Sequence, residues 1–387
     1  MKTVYLDNNA TTRLRPEALQ AMMPFLTDLY GNPSSLHAFG SQVGRALDTA
    51  REQVGALLGV RSQDIVFTGT GTEANNMALK GYAEANPGRK HIVTTPVEHP
   101  CVREVCAWLG ERGYEVTEVP VAADGTLSPD AWRAALRKET AFATAMAANN
   151  ETGVIFPYEE LAAACAEKGV PFHCDGVQAA GKIPVRLAES AVSSMTVAAH
   201  KFGGPKGVGA LYVRRNARLK PLLHGGHQEK GRRAGTENVA GIAGMGAAAD
   251  AALRDLPLEE SRVRPLRDRF EAAILGRIPG AIRNGHPDQR VPNTSNLGFS
   301  DVEGEAVLLI LSQFGVCVSI GSACSSGSTE PSHVLRAMGV PKSHIFGSLR
   351  FSLGLDTTPE EIDYASARTA EAVAKLRKVA GKEAVRR

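Results

Sequence analysis

Between residues 64 and 213, short apolar runs alternate with helix-length stretches, and this alternation is what most narrows the fold. The runs 64–68, 91–94, 115–119, 142–145 and 170–174 read as strands. The stretches 73–84, 101–112, 129–138 and 158–168 between them read as helices. Strand–helix–strand repetition at this spacing predicts an α/β fold with a mostly parallel sheet covered on both faces. Ligands of such sheets bind beyond the C-terminal ends of the strands. Chemistry is therefore expected in the strand-end loops.

After Val213 the rhythm changes. A Gly-rich, charged segment at 223–237 precedes a small-residue helix at 239–253 and a polar helix at 257–275. Strand-like 294–299, helical 303–314, strand-like 316–319 and 348–353, and a last helix from Pro359 follow. These predict a smaller α+β unit. The division expected is a large domain at 16–254 and a small one made of 1–15 and 255–387. The net charge of +3 gives no footing for nucleic acid. Asp7, Asn8 and Asn9 interrupt any apolar leader, and no run is long enough to span a membrane. The six cysteines are dispersed, with no Cys-x-x-Cys pair, so reduced thiols, no metal and a cytoplasmic setting are expected.

Four segments carry chemistry. Lys201 lies between an apolar strand at 195–198 and Gly203-Gly204, where a flat cofactor can approach and an imine can form. Alone, it reads better as a solvated turn lysine. Asp175 ends another apolar strand, where a carboxylate is costly unless paired. It suits the pyridine nitrogen of pyridoxal phosphate (PLP), and equally a helix N-cap. A metal site from His173, Cys174 and Asp175 is disfavoured, because neighbours on a strand point to opposite faces. Gly69-Thr70-Gly71-Thr72 follows a strand and opens a helix, which makes a phosphate site but not a Walker loop. Cys324 lies in a Gly/Ser-rich loop, a poor place for core packing and a good one for a mobile thiol. Packing is favoured for the other five cysteines, least firmly for Cys101.

Together these segments resemble the NifS/IscS group of cysteine desulfurases within the class V aminotransferases. The resemblance spans nearly the whole chain, including Tyr5–Thr12, Tyr30–Ser35, Asn149–Gly153, Gly225–Glu229 and Arg233–Asn238. It implies the aspartate aminotransferase-like fold (fold type I), a homodimer, L-cysteine as substrate and an iron–sulfur scaffold protein as sulfur acceptor. It also implies the site. Lys201 holds the cofactor and moves the Cα proton, Asp175 meets the ring nitrogen, and Gln178 meets the phenolic oxygen. His99 stacks on the ring with an acid/base role. Gly71, Thr72 and His200 take the phosphate, helped by Thr236 from the partner subunit. Asn150 and Arg350 hold the substrate carboxylate, as a planar guanidinium is suited to do, and Cys324 accepts the sulfur.

Two departures stand out. Ala198 replaces a phosphate-binding serine, and Gly176 replaces an alanine, an exchange expected to be mild. Rival readings are a selenocysteine lyase or aminotransferase of the same fold, a nicotinamide enzyme and a non-catalytic sulfur or metal carrier. A mobile thiol is superfluous for transamination, and a nicotinamide site leaves Lys201 and Asp175 unexplained.

Overall fold

A computed structural model describes residues 3–321 and 330–384. The strands are β1 (Val4–Tyr5), β2 (Ile65–Thr68), β3 (His91–Thr94), β4 (Glu115–Glu118), β5 (Thr140–Met146) and β6 (Phe172–Asp175), then β7 (Ser194–Ala198), β8 (Gly209–Val213), β9 (Ile282–Arg283), β10 (Thr294–Gly298), β11 (Val316–Cys317) and β12 (Ser348–Ser352). Seven of them form one sheet in the order β2-β8-β7-β6-β5-β3-β4. Only β8 runs against its neighbours there. The mostly parallel sheet expected from the alternation is what forms. Its strands other than the edge strand β4 are continuously buried, as the seven covered residues of β5 illustrate.

The helices flanking this sheet are α1 (Pro16–Leu26), α2 (Ala38–Leu58), α3 (Gly71–Ala85), α4 (Pro100–Gly110), α5 (Pro129–Ala135), α6 (Tyr158–Glu167) and α7 (Val239–Leu258). One face is sealed by α3 and α4, through Met77, Leu79, Tyr82, Val102 and Leu109. The other carries a larger core that includes Leu47, Val54, Leu161, Ile242 and Met245 from α2, α6 and α7. Helix α7 is rich in Gly and Ala because it lies close against α1 and α2. A methyl group at Gly246 would stand 2.6 Å from the Ala50 backbone.

The helical break expected between 253 and 257 does not occur. Helix α7 runs through Pro257 and passes by a wide π-type turn, Glu259–Val263, into α8 (Arg264–Arg277). Proline removes an amide donor, and a widened turn absorbs the missing bond without ending the helix. Beyond it, α8 packs with α9 (Gly304–Gln313), α12 (Pro359–Ala384) and the sheet β12-β10-β9 around a separate core centred on Phe270, Leu297, Leu311 and Phe351. Two short helices, α10 (His333–Ala337) and α11 (Lys342–Ile345), precede β12. The N-terminal arm joins this second core: β1 pairs with β11, and Leu6 is fully buried. Among the described residues, no helix is long and apolar enough to cross a membrane.

Candidate active site

Strands β2, β3, β5, β6 and β7 all run in one direction, so their C-terminal ends share an edge of the sheet. Beyond that edge lies a cavity of about 250 Å³. Gly71, Thr72, His99, Asn150, Asp175, Gln178, His200, Lys201 and Arg350 all line it. They come from the C-terminal ends of five strands and the loops or helix starts after them (β2, β3, β5, β6 and β7), except Arg350, which comes from the middle of β12. Two expected members are not in this set. Thr236 is exposed and lies outside the cavity lining, and Cys324 falls outside the described residues.

The start of α3 shows how an anion is received. Thr70 caps the helix by accepting the Glu73 N–H at 3.0 Å, and its carbonyl takes the Ala74 N–H at 3.1 Å. The N–H groups of Gly71 and Thr72 are left for a ligand at the positive end of the helix. Glycine at position 71 keeps this end of the helix open. A Cβ there would meet Ala198 at 3.2 Å and Val177 at 3.4 Å, filling the floor of the cavity. Ala198 contributes only a methyl at this point, so the polar groups on offer to an anion here are the helix end and His200.

Asp175 is 5% exposed and keeps both oxygens engaged. Oδ1 accepts the Val177 N–H at 3.0 Å, and Oδ2 accepts Asn75 Nδ2 at 2.9 Å. A buried carboxylate facing an apolar cavity suits a protonated ring nitrogen, as PLP requires. Gly176 also has a local cause. A Cβ there would lie 2.5 Å from Met195 Sδ, so the buried methionine fills the space that an alanine methyl would take.

Lys201 follows β7, and its Nζ donates to the carbonyls of Asn9 at 2.6 Å and Ala10 at 2.9 Å. Gln178 Nε2 donates to the same Asn9 carbonyl at 3.0 Å, while its Oε1 accepts from Lys182. The buried lysine thus fixes which way the Gln178 amide points: N–H toward the site, oxygen away. Burial lowers the pKa of Lys182, and the nearby Glu259 carboxylate opposes that shift.

His99 caps α4, and its Nδ1 accepts the Cys101 N–H at 3.2 Å. That bond assigns the ring proton to Nε2. Burial holds the imidazole pKa below its usual value, opposed by Asp175 and reinforced by Lys201. A neutral, flat ring with an N–H donor is suited to stacking and proton transfer. Arg350 is 1% exposed, with Nη1 donating to the Asn150 carbonyl at 2.9 Å and Nη2 to Asp7 at 2.7 Å. Its buried Nε has no hydrogen-bond partner among the described residues. A guanidinium with donors to spare, beside the cavity, is the feature a substrate carboxylate needs.

The described residues on either side of Cys324 in sequence are anchored beside these groups. Ser319 exchanges backbone bonds with Arg350 at 3.1 and 2.7 Å, and its hydroxyl donates to the Gly321 carbonyl at 3.0 Å. On the far side, Ser332 Oγ donates to Glu151 at 2.5 Å, one residue from Asn150.

Four residues of the site or its walls carried no expected role: Asn9, Asn75, Cys101 and Lys182. Asn75 lies one turn after Gly71, a spacing that puts both on one helix face. Asn9 arrives on the N-terminal arm, whose docking no local pattern announces. Cys101 lines the cavity, but burial, with Asp175 adding, pushes its thiol up to about 12, so it stays protonated. Glu98, beside His99, is pushed up to about 8 by burial and keeps its proton at neutral pH. Among the described residues, no cluster of three His, Cys, Asp or Glu is placed to hold a metal.

Burial holds His173 at about 3, well below an ordinary imidazole. The folded pKa lies below the unfolded one, so the unfolded chain takes the proton first. The contribution to stability is whole above pH 6.5 and is lost as pH falls toward 3. At pH 5 the loss is about 2 kcal/mol, from about 1.4 kcal/mol per pH unit. Calorimetric Tm should therefore fall by a few degrees between pH 7 and 5. A His173→Gln variant should lose that part of the slope.

A model of the family described as Aminotransferase class-V matches residues 4–365. A cysteine desulfurase of Trichormus azollae is 52% identical over 377 residues, covering 97% of this chain and 94% of the relative. The cysteine desulfurase NifS of Azotobacter vinelandii is 50% identical over 380 residues, covering 98% and 94%. Among solved structures, a NifS-like protein superposes with a TM-score of 0.91 at 36% identity, covering 96% of this chain and 100% of that one. With these matches over nearly the whole chain, the conclusion is direct: the chain belongs to the class V aminotransferase family, in its NifS-like cysteine desulfurase branch.

Proposed function

We propose that this chain is a PLP-dependent cysteine desulfurase that converts L-cysteine to L-alanine and leaves the sulfur as a persulfide on Cys324. The observation that carries the reading is convergence: Lys201, Asp175, the Gly71–Thr72 helix end and Arg350 meet in one cavity, although they are far apart in sequence. Bound PLP supplies a protonated ring that accepts electrons from the substrate's Cα. The chain's own groups do the rest. Gly71, Thr72 and His200 hold the phosphate, Asp175 holds the ring-nitrogen proton, and Gln178 donates to the phenolic oxygen. His99 covers the ring face and offers a proton from Nε2. Arg350 and Asn150 grip the substrate carboxylate, which fixes the Cα proton toward Lys201 Nζ. Lys201 takes that proton as a general base.

The Cys324 thiolate then attacks the substrate sulfur. The new bond is Cys324 Sγ–S and the broken bond is the substrate's Cβ–S. The thiol protons end on alanine's methyl group and on the persulfide, so L-cysteine and one thiol become L-alanine and one persulfide.

We read the enzyme as a cytoplasmic homodimer in which Thr236 serves the partner's phosphate, a reading supported by its exposure outside its own cavity. The five described cysteines are unpaired, which fits a reducing compartment. An iron–sulfur scaffold protein is the acceptor we propose, on the strength of the NifS-like relatives. We also keep the division into 16–254 and 1–15 with 255–387, supported by the separate cores. Val334, Leu335, Met338 and Ile345 are the exception, since they pack into the large core.

The purified protein, incubated with PLP, should show a visible absorption band that borohydride removes. A colourless protein unaffected by borohydride sinks the proposal.

A further inference from the structure

Behind Asp175 lies a line of buried polar side chains with no direct role in the chemistry just described. Ser194 Oγ is 2.8 Å from His173 Nδ1, and His173 Nε2 is 2.8 Å from Asn75 Oδ1. Asn75 Nδ2 is 2.9 Å from Asp175 Oδ2 and 3.1 Å from Cys101 Sγ. Ser194 and His173 are fully covered, and Asn75 is 1% exposed. Water has no access to the Ser194–His173 contact.

The chemistry of each group forces one direction along the line. A carboxylate only accepts, so the Asn75 atom facing Asp175 is the nitrogen, and Oδ1 faces the imidazole. His173 must then carry its proton on Nε2. Nδ1 becomes an acceptor, and the Ser194 hydroxyl donates to it. Every donor points toward Asp175. His173 stays neutral, so the line brings no positive charge near the carboxylate. A lysine or arginine in Asn75's place would compete with the ring nitrogen for that carboxylate. A neutral amide steadies the anion and leaves its charge for the ring. Donors in series also polarise one another, strengthening the last bond.

We propose that Asn75 and His173 are positioning residues for Asp175: the Ser194–His173–Asn75 line fixes the orientation of its carboxylate toward the pyridine nitrogen of PLP. The proposal rests on the reading of Asp175 as that nitrogen's partner. Asn75 sits one turn inside α3, where alanine is well tolerated, so Asn75→Ala removes the contact at little cost to the helix.

The test measures equilibrium affinity of the full chain for PLP and for an analogue whose ring nitrogen is replaced by carbon. Wild type should prefer PLP. Asn75→Ala should narrow that preference about tenfold, the order expected for losing a hydrogen bond to a charged group, while affinity for the analogue stays within about twofold. His173→Phe should narrow it alike, His173→Gln should keep it through its amide N–H, and the Asn75→Ala/His173→Phe double variant should be no worse than either single one. If His173→Phe does not fold, Asn75→Ala and His173→Gln still decide. Equal weakening for both cofactors in Asn75→Ala, or an undiminished preference, overturns the proposal alone. A wild type with no preference overturns the Asp175 reading and the proposal with it.

Discussion

Replacing Cys324 with alanine is expected to leave a protein that binds PLP with an unaltered visible band and releases no sulfide from L-cysteine. The separation of the two properties follows from the geometry. The cofactor contacts proposed above come from the strand-end loops of the large sheet, at residues remote in sequence from Cys324. The loss of turnover is expected to exceed about 10³-fold because no described cysteine can stand in. Burial pushes Cys101, Cys106 and Cys165 up to about 12. A thiol at about 12 is ionised to about one part in 10⁵ at pH 7, and the thiolate is the nucleophile. Burial raises Cys174 and Cys317 as well. The measurement is sulfide release beside an absorption spectrum of the same sample. Undiminished release in Cys324→Ala would assign the nucleophile elsewhere, with Cys101 first because it lines the cavity.

Much of the fold could be read from the chain because its determinants are local. Apolar runs of strand length and Gly-rich turns bounded β3 and β6–β8 to within a residue or two. The site was legible for a related reason: a parallel sheet sends every strand end to one edge, so motifs after Thr68, Thr94, Asp175 and Ala198 had to meet. What stayed hidden depends on tertiary placement. Asn9 accepts at its carbonyl from Lys201 and Gln178 and at Oδ1 from Lys182 and Asn293, a role set by where the arm docks. The α7–α8 continuity was missed because Pro257 reads as a stop, whereas the wide turn after it preserves the helix. The neutrality of His173 likewise depends on burial by residues from other elements. A metal site with its neighbours Cys174 and Asp175 is disfavoured by strand alternation, but the partners its ring does take, Ser194 and Asn75, could not be read from the sequence.

Lys201→Ala is expected to abolish turnover and end covalent capture of PLP without ending its binding. The phosphate and ring-nitrogen contacts proposed above come from Gly71, Thr72, His200 and Asp175, which line the cavity and which the substitution does not touch. A positioned base contributes up to about 10⁴-fold, and loss of the attaching amine adds to that, so the fall in kcat should reach at least about 10³-fold. The sharpest question is whether Lys182 takes over. It lies in the same corner of the molecule, its amine is buried, and burial makes its neutral form more accessible. Geometry argues against substitution. Its Nζ is held by Asn9 Oδ1 at 2.9 Å and by Gln178 Oε1, behind the wall that Gln178 forms, and it does not line the cavity. Reaching the cofactor would require releasing both acceptors and turning the Gln178 amide out of the way. Borohydride treatment followed by peptide mapping should label Lys201 in the wild type and nothing in Lys201→Ala. A label on Lys182 in the variant would show that the wall moves. A label on Lys182 in the wild type would show that the attaching lysine had been misassigned.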